Sequence, residues 1–215
     1  PQMSTAIMKL GINMAAGKYS WLICPTRSFY SRSTMTVAKE LIGKTLVRLA
    51  YGVFSQLPVR LSGIIVETEA YGHTNDRASH AYKGVTSRNR PMFGDVGRTY
   101  IYFIYGSHFC MNISAHSDRV KAGAVLIRAI EPCEGVDVMR RLRSSKNIYG
   151  LTSGPGKICQ AMNINDSLNS LDVTDPRSEI HIEFDKEITK KNVTTTERIG
   201  IRYAAKKKWR FVCGI

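Results

Sequence analysis

The chain has 215 residues, which is enough for one domain with a sizeable buried core. Thirty-one Lys and Arg residues against 17 Asp and Glu residues give a net charge of +14, which indicates an anionic partner such as nucleic acid. The five cysteines are widely spaced without a CxxC pair, and no apolar run approaches the ~18 residues of a membrane span. A disulfide framework, a zinc site and a transmembrane helix are therefore not expected.

The N-terminal segment differs in composition from the rest of the chain. Residues 1–39 contain no Asp or Glu but several Lys, Arg, Ser and Thr residues. This bias is compatible with a transit segment or with a basic arm that contacts DNA. We predict a loosely ordered N-terminal extension over residues 1–32, followed by a single domain over residues 33–215.

The rest of the sequence predicts more strands than helices. In chain order, the predicted elements are a helix over residues 36–42, strands over 45–49, 64–71, 99–105, 108–113 and 123–130, helices over 134–143 and 153–162, a strand over 180–184 and one or two closing strands within 197–215. The strands do not alternate regularly with the helices. This order favours an α+β domain with a mainly antiparallel sheet over a doubly wound fold.

The segment 64–71 is predicted to lie at the centre of the sheet. Its β-branched apolar residues indicate a buried strand that carries Glu67, Glu69 and Tyr71 towards its end. Strand alternation would place both acids on one face, with Tyr71 off that face or on a bend where the strand ends. Alternation alone does not decide which acid faces a cleft, and both acids could instead be structural partners of arginines.

Two further segments carry polar and aromatic side chains. Residues 72–97 lack periodicity, and long irregular segments inside compact domains are often functional. The pair Gly106-Ser107 between two β-rich runs predicts a hairpin with a type II′ turn. Tyr105 and His108 are expected at its tip.

These parts suit an enzyme that lifts a nucleotide out of a DNA duplex. Such an enzyme encloses the extruded base between aromatic or apolar faces, a role open to Tyr71, His80 and Tyr102. Tyr105 at the hairpin tip could fill the space that the base leaves, as apolar and aromatic wedges do in proteins that distort DNA.

Six segments, in order and at matching spacings between about residues 33 and 211, carry a resemblance to a known family. They are ETEAY at 67–71, ASH at 78–80, TSRNRPMF at 86–93, YIYFIYGSHFCMN at 100–112, VLIRAIEP at 125–132 and SGPGKICQA at 153–161. Together they closely resemble the alkyladenine DNA glycosylases, also called 3-methyladenine or methylpurine DNA glycosylases. The resemblance implies a single mixed α+β domain around a curved, mainly antiparallel sheet, with peripheral helices and a protruding β-hairpin.

The resemblance also implies a role for each candidate residue. Glu69 matches the acid that activates the attacking water, Arg128 the arginine that helps to position that water, and the main-chain carbonyl near Ile199 a third contact to it. The other matched positions enclose the flipped base (Tyr71, His80, Tyr102), disfavour guanine through its exocyclic amine (Asn112), intercalate (Tyr105) or lie along the DNA backbone or groove (Arg88, Met92, His108).

The chemistry implied by the resemblance is base excision repair by a monofunctional glycosylase. The enzyme would flip alkylated or deaminated purines, such as 3-methyladenine, 7-methylguanine, hypoxanthine and ethenoadenine, and hydrolyse the N-glycosidic bond to leave an abasic site. Alkylation at N3 or N7 places positive charge on the purine, which improves the leaving group and attracts it to electron-rich ring faces. No lysine matches a Schiff-base role, and we expect neither a cofactor nor a metal.

The motif match assigns the catalytic role to Glu69, and we assign a structural role to Glu67. We expect a monomer that acts on double-stranded DNA containing damaged purines, without membrane contact. Its expected location is intracellular and DNA-associated, with organelle targeting by the acid-free N-terminus left open. Two other functions remain open: a nucleic-acid-binding module without catalysis, and a hydrolase of free nucleosides, which needs neither a wedge nor a strongly basic surface.

Overall fold

A computed structural model describes residues 24–54, 56–145, 147–184 and 193–213. The elements within these ranges are α1 (Arg27–Tyr30), α2 (Thr34–Leu41), β1 (Thr45–Ala50), β2 (Val59–Tyr71), β3 (Thr99–Ile104), β4 (His108–Ser114), β5 (Ala124–Glu134), α3 (Val136–Leu142), α4 (Pro155–Ala161), β6 (Ile180–Glu183), β7 (Val193–Thr196) and β8 (Arg210–Cys213), with 3₁₀ turns at Arg90–Met92 and Asp166–Leu168. The predicted helices and strands are present with bounds shifted by a few residues. Of the closing strands, β8 lies within the predicted 197–215, whereas β7 ends just before it.

The eight strands of the described residues form one antiparallel sheet. Its order is β3-β4-β5-β2-β1-β6, and β8 pairs with both β2 and β7. The register between β2 and β5 shifts on either side of Glu67, and such bulges bend a strand. At this bend β2 leaves β1 and begins to pair with β8. The predicted α+β class with a curved, mainly antiparallel sheet is confirmed.

The two faces of β2 have different surroundings. On one face the Thr68 hydroxyl donates to the carbonyl of Ala38 in α2 at 2.7 Å, and α2 packs against β2 and β5 there. The other face carries Glu67, Glu69 and Tyr71. The expectation that Tyr71 would lie off the face of the acids is wrong, because its hydroxyl bonds to the Glu69 carboxylate. Alternation with a period of two places all three odd-numbered residues together.

The hydrophobic core fixes the sheet from the helical side. Its largest fully buried side chains include Leu41, Leu46, Ile65 and Met111, and α4 covers β4 and β5. Burying such side chains is the main favourable term in folding. The strands that carry the candidate residues are therefore held against a packed layer.

The core includes residues that precede the predicted domain boundary at residue 33. Tyr30 in α1 is fully buried within the core. Arg27 donates to the carbonyl of Val96 at 2.5 Å and pairs with Asp172. The remainder of the predicted extension, residues 1–23, lies outside the described residues.

Candidate active site

Glu69 on β2 is a fully buried acid that accepts hydrogen bonds at both carboxylate oxygens. The Ile199 amide N–H donates to Oε1 at 2.7 Å, and the Tyr71 hydroxyl donates to Oε2 at 2.8 Å. Arg128 Nη1 lies 3.5 Å from Oε2. A buried carboxylate without such partners would be costly, and these partners hold the acid in one orientation.

Glu67 lies on the same face of β2 but is paired with two arginines. Its Oε1 accepts hydrogen bonds from Arg128 Nε at 2.7 Å and from Arg210 Nε at 2.6 Å. Burial acts to raise the pKa of Glu67, but the hydrogen bonds and charges of the two arginines outweigh it and lower the pKa below its ordinary value. Glu67 therefore has the geometry of an ion-pair residue, and Arg128 connects it to Glu69.

A cavity of about 670 Å³ adjoins this cluster, a volume in the range of small-molecule sites. Tyr71, Arg128 and Ile199 line the cavity, whereas Glu69 lies directly behind them. Seven of the other predicted site positions were assigned to the base or the DNA, and six of them share this cavity wall: His80, Met92, Tyr102, Tyr105, His108 and Asn112. The structure thus brings the acid, the aromatic residues and the hairpin tip to one place.

The aromatic part of the wall is a cluster around His80. Its ring lies 4.7 Å from that of Tyr102, edge to face, and its Nδ1 is 2.8 Å from the Tyr100 hydroxyl. Burial, and then the charge of Arg88, lower the pKa of His80, so His80 is neutral at neutral pH. Burial raises the pKa of Tyr100 to about 12 and also raises that of Tyr102. The wall therefore presents uncharged rings.

Asn112 and Met92 complete the enclosed part of the cavity. Both are almost fully buried. Asn112 Nδ2 donates to the carbonyl of Tyr100 at 3.0 Å, which fixes the plane of its amide. Met92 packs with Tyr100 in a small apolar cluster.

The hairpin between β3 and β4 exposes Tyr105 at its tip, where 81% of the side chain is accessible. Tyr105 has a φ of 54° and Gly106 a φ of 66°. Positive φ at both central residues is the type I′ pattern, so the predicted type II′ turn is wrong and Tyr105 itself is the first corner. Next to the hairpin tip, a Cβ on Gly156 of α4 would come within 3.1 Å of His108, so glycine allows this helix to approach the hairpin closely.

Among the candidates assigned to the base or the DNA, Arg88 alone lies outside the cavity wall. Its Nη2 donates to the carbonyl of Phe103 at 2.9 Å, and its guanidinium lies 5.0 Å from the centre of the Tyr102 ring. Arg88 is exposed. It thus lies against the Tyr102 ring and is bonded to β3 of the hairpin.

Comparison with known proteins gives the family of the chain. Residues 28–214 match the family model described as methylpurine-DNA glycosylase (MPG). The chain belongs to this family. The resemblance predicted from six segments is therefore confirmed.

Several curated relatives of this methylpurine-DNA glycosylase family member have names that include "3-methyladenine DNA glycosylase". The protein from Methanocella arvoryzae is 46% identical over 190 residues, which cover 86% of this chain and 90% of that protein. The protein from Clostridium acetobutylicum is 43% identical over 197 residues, covering 86% and 91%. The protein from Rhodopseudomonas palustris is 44% identical over 185 residues, covering 86% and 84%.

Part of the arrangement around Glu69 was not predicted from the sequence. The carbonyl near Ile199 stays a predicted contact to the water, and the structure shows a different contact, from the Ile199 amide to Glu69. No role was predicted for the buried pair Asp76–Arg198 or for Lys157, which lines the cavity and donates to Ser153 Oγ at 3.1 Å. Lys157 belongs to the SGPGK segment, which was recognised as a motif without a residue role. The two residues of the Asp76–Arg198 pair are far apart in the sequence, so no local sequence pattern indicates their contact.

Metal-binding clusters and membrane-spanning helices are absent from the described residues. Within the described ranges, no group of three or more His, Cys, Asp and Glu side chains is placed to hold a metal ion. The five cysteines all lie in this part of the chain, and no disulfide links them there. None of the described helices is long and apolar enough to cross a membrane.

Proposed function

We propose that this chain removes alkylated or deaminated purines from duplex DNA by hydrolysing the N-glycosidic bond, with Glu69 as the base that activates water. The observation that carries the proposal is a buried, oriented carboxylate directly behind an aromatic-walled cavity. Membership of the methylpurine-DNA glycosylase family supports the same activity.

The damaged base would occupy the cavity between Tyr71, His80 and Tyr102. Three aromatic rings favour a cationic purine, since ring faces attract positive charge. His80 is neutral at neutral pH and so does not repel such a base. Asn112, fixed by its bond to Tyr100, would oppose guanine by leaving the exocyclic amine without a hydrogen-bond acceptor.

The attacking water would be held by Glu69 and Arg128 together. Arg128 Nη1 lies 3.5 Å from Oε2 of Glu69, which is longer than a direct hydrogen bond but too short for a water between the two atoms, so the water would contact both of them from the cavity side. Arg128 lines the cavity, so a water shared with Oε2 of Glu69 would lie close to the sugar of an inserted nucleotide. Catalytic hydrogen bonds commonly tighten only when substrate binds.

In the bond-breaking step the purine leaves with the electron pair of the N-glycosidic bond, and the sugar becomes oxocarbenium-like. An alkylated, cationic purine leaves as a neutral base, whereas a neutral purine such as hypoxanthine leaves as an anion that takes up a proton from solvent. Glu69 would stabilise this charge and take a proton from the water that adds to C1′. The product is an abasic site with an intact phosphodiester backbone. The cavity lysine, Lys157, takes no part in this step, so a covalent imine and strand cleavage are not expected.

The exposed hairpin tip would engage the duplex. Tyr105 would fill the space left by the extruded base, and the net charge of +14 supplies attraction to phosphates. A free nucleoside needs neither feature. Activity on duplex DNA should therefore fall steeply as salt rises from about 50 to 200 mM, as expected for several phosphate contacts.

The deciding experiment uses duplexes with a single 1,N⁶-ethenoadenine or hypoxanthine. Base release is measured as alkali-labile sites under single-turnover conditions, and lesion affinity is measured separately. Glu69→Gln should abolish release while lesion binding survives, and the neighbouring acid change Glu67→Gln serves as the matched control that retains release. Borohydride added during the reaction should trap no protein–DNA adduct.

Two outcomes would overturn the proposal. If the parent protein released no base and Glu69→Gln bound the lesion as the parent does, the chain would be a binding module. If release from a free nucleoside equalled release from the duplex and did not depend on salt, it would be a nucleoside hydrolase.

A further inference from the structure

Arg198 and Asp76 form a fully buried ion pair beside the candidate active site. Both side chains have 0% exposure, which no other ion pair of the described residues shares. The pair is bidentate, because Nη1 donates to Oδ2 and Nη2 to Oδ1, each at 2.7 Å. Two parallel charge-assisted bonds fix a guanidinium in both position and plane.

The same guanidinium contacts the strand that carries Glu69. Arg198 Nη1 also donates to the carbonyl of Ala70 at 2.9 Å, and Ala70 lies between Glu69 and Tyr71 in β2. The guanidinium lies 4.7 Å from the centre of the Tyr71 ring and 5.1 Å from that of Trp209. Arg198 is therefore hydrogen-bonded to the backbone of the residue that follows Glu69, and its guanidinium lies on the ring of Tyr71.

Both neutral donors to Glu69 adjoin this ion pair. Ile199, whose amide donates to Oε1, follows Arg198 in the chain. Tyr71, whose hydroxyl donates to Oε2, lies against the guanidinium. Arg198 and Asp76 themselves do not line the cavity. They can act on the reaction only through the residues that they hold.

We propose that Arg198, fixed by Asp76, is a positioning residue that sets the orientation of the Glu69 carboxylate. The inference rests on the proposed function, since it assigns a means of orienting the same acid. Stability alone is a poor explanation for the pair, because replacing a buried ion pair by neutral side chains is often neutral or stabilising. Orientation is a better explanation, because a small displacement of a reacting group has a large effect on rate.

The first test is Arg198→Lys, which keeps the charge but loses the bidentate fork and the planar stacking. We expect the single-turnover excision rate to fall on the order of 10²-fold. Affinity should stay near that of the parent for a duplex whose lesion nucleotide carries a 2′-fluoro group, which resists hydrolysis. A separation of rate from affinity is the signature of positioning, since a loss of folded protein would lower both.

The second variant is the neutral pair Asp76→Asn with Arg198→Met, which avoids leaving one charge buried alone. It should fold, as judged by its thermal midpoint, and excise as slowly as Arg198→Lys. A parental rate in this folded double variant would overturn the proposal, and so would a parental rate in Arg198→Lys.

Arg48→Lys is the matched control. Arg48 is also almost fully buried, pairs with Glu179 at 2.7 Å, and like Arg198 has a buried Nε without a partner among the described residues. It lies on β1, outside the cavity wall. Its change should lower the thermal midpoint without lowering the rate per folded molecule. An inactive parent protein would instead reject the proposed function, so the two failures are distinguishable.

Discussion

The Tyr71 hydroxyl donates a hydrogen bond of 2.8 Å to Oε2 of Glu69, two residues earlier on the same strand. The same tyrosine lines the cavity, so one side chain forms part of the wall and also holds the buried acid. Burial, and then the negative charge of Glu69, raise the pKa of Tyr71. The phenol therefore keeps its proton, and the hydrogen bond runs from Tyr71 to Glu69.

Tyr71→Phe separates these two roles, because it keeps the ring and removes the hydroxyl. We expect the excision rate to fall on the order of tenfold, the equivalent of one modest hydrogen bond. Affinity for the lesion duplex should change little, since the stacking face is retained. Single-turnover kinetics and binding to a 2′-fluoro lesion duplex measure the two quantities. An equal fall in the excision rate and in the affinity would mean that the Tyr71 hydroxyl contributes to lesion binding and not to the orientation of Glu69.

Glu67→Gln should lower stability in a way that depends on pH. The folded-state pKa of Glu67 is lowered, so its ion pairs stabilise the fold at pH values above the unfolded-state pKa, and this contribution is lost as pH falls through the folded-state value. At pH 7 the variant should lose roughly 1.5–3 kcal/mol, as for hydrogen bonds to a charged group. Denaturant unfolding from pH 7 to pH 3 tests this. The stability difference from the parent should shrink towards acid pH, and a constant difference would contradict the assignment.

The sequence predicts the parts of this site that share one strand or one hairpin. Glu67 and Glu69 were placed on one face by alternation, and β3 and β4 were joined correctly by their β-rich runs. The turn type was not predicted, because Tyr105 adopts a positive φ that a non-glycine residue rarely takes. Local preference pointed to Gly106 as the first corner.

The contacts that orient Glu69 could not be predicted from local patterns. Ile199 lies 130 residues from Glu69, and Arg198 lies 122 residues from Asp76. Periodicity reports only which residues share a face of one element. β8 pairs with β2 beyond the bulge at Glu67, and this pairing brings the segment before β8, with Arg198 and Ile199, close to Glu69. Pairing between strands so distant in the sequence leaves no local signal.

Tyr105→Ala should impair excision from duplex DNA more than from single-stranded DNA. Flipping a base out of a duplex leaves a gap in the base stack, which the wedge side chain fills. Without the wedge, the stacking energy lost in a duplex is not offset, whereas single-stranded DNA has no such gap. The ratio of single-turnover rates on the two substrates measures the effect. Tyr149→Ala is the matched control, because Tyr149 is also highly exposed, at 88%, but lies outside the cavity wall. Equal losses on both substrates would reject Tyr105 as a wedge.

Arg88→Met should raise the pKa of His80. Burial is the first cause of the lowered pKa and the charge of Arg88 the second, so removing the charge restores part of the shift while burial maintains the rest. Long-range ¹H–¹⁵N spectra of the imidazoles measure this directly, with His80→Asn to assign the signal. Arg177→Met is the control, since Arg177 is exposed and paired with Asp175.

The same change should alter the pH dependence of excision. A protonated His80 would repel a cationic purine, so activity on 3-methyladenine should fall as pH decreases through the His80 pKa. In Arg88→Met this acidic limb should move to higher pH, and in Arg177→Met it should not move. If the His80 signal shifted in Arg88→Met while the acidic limb stayed in place, the charge state of His80 would not govern binding of the damaged base.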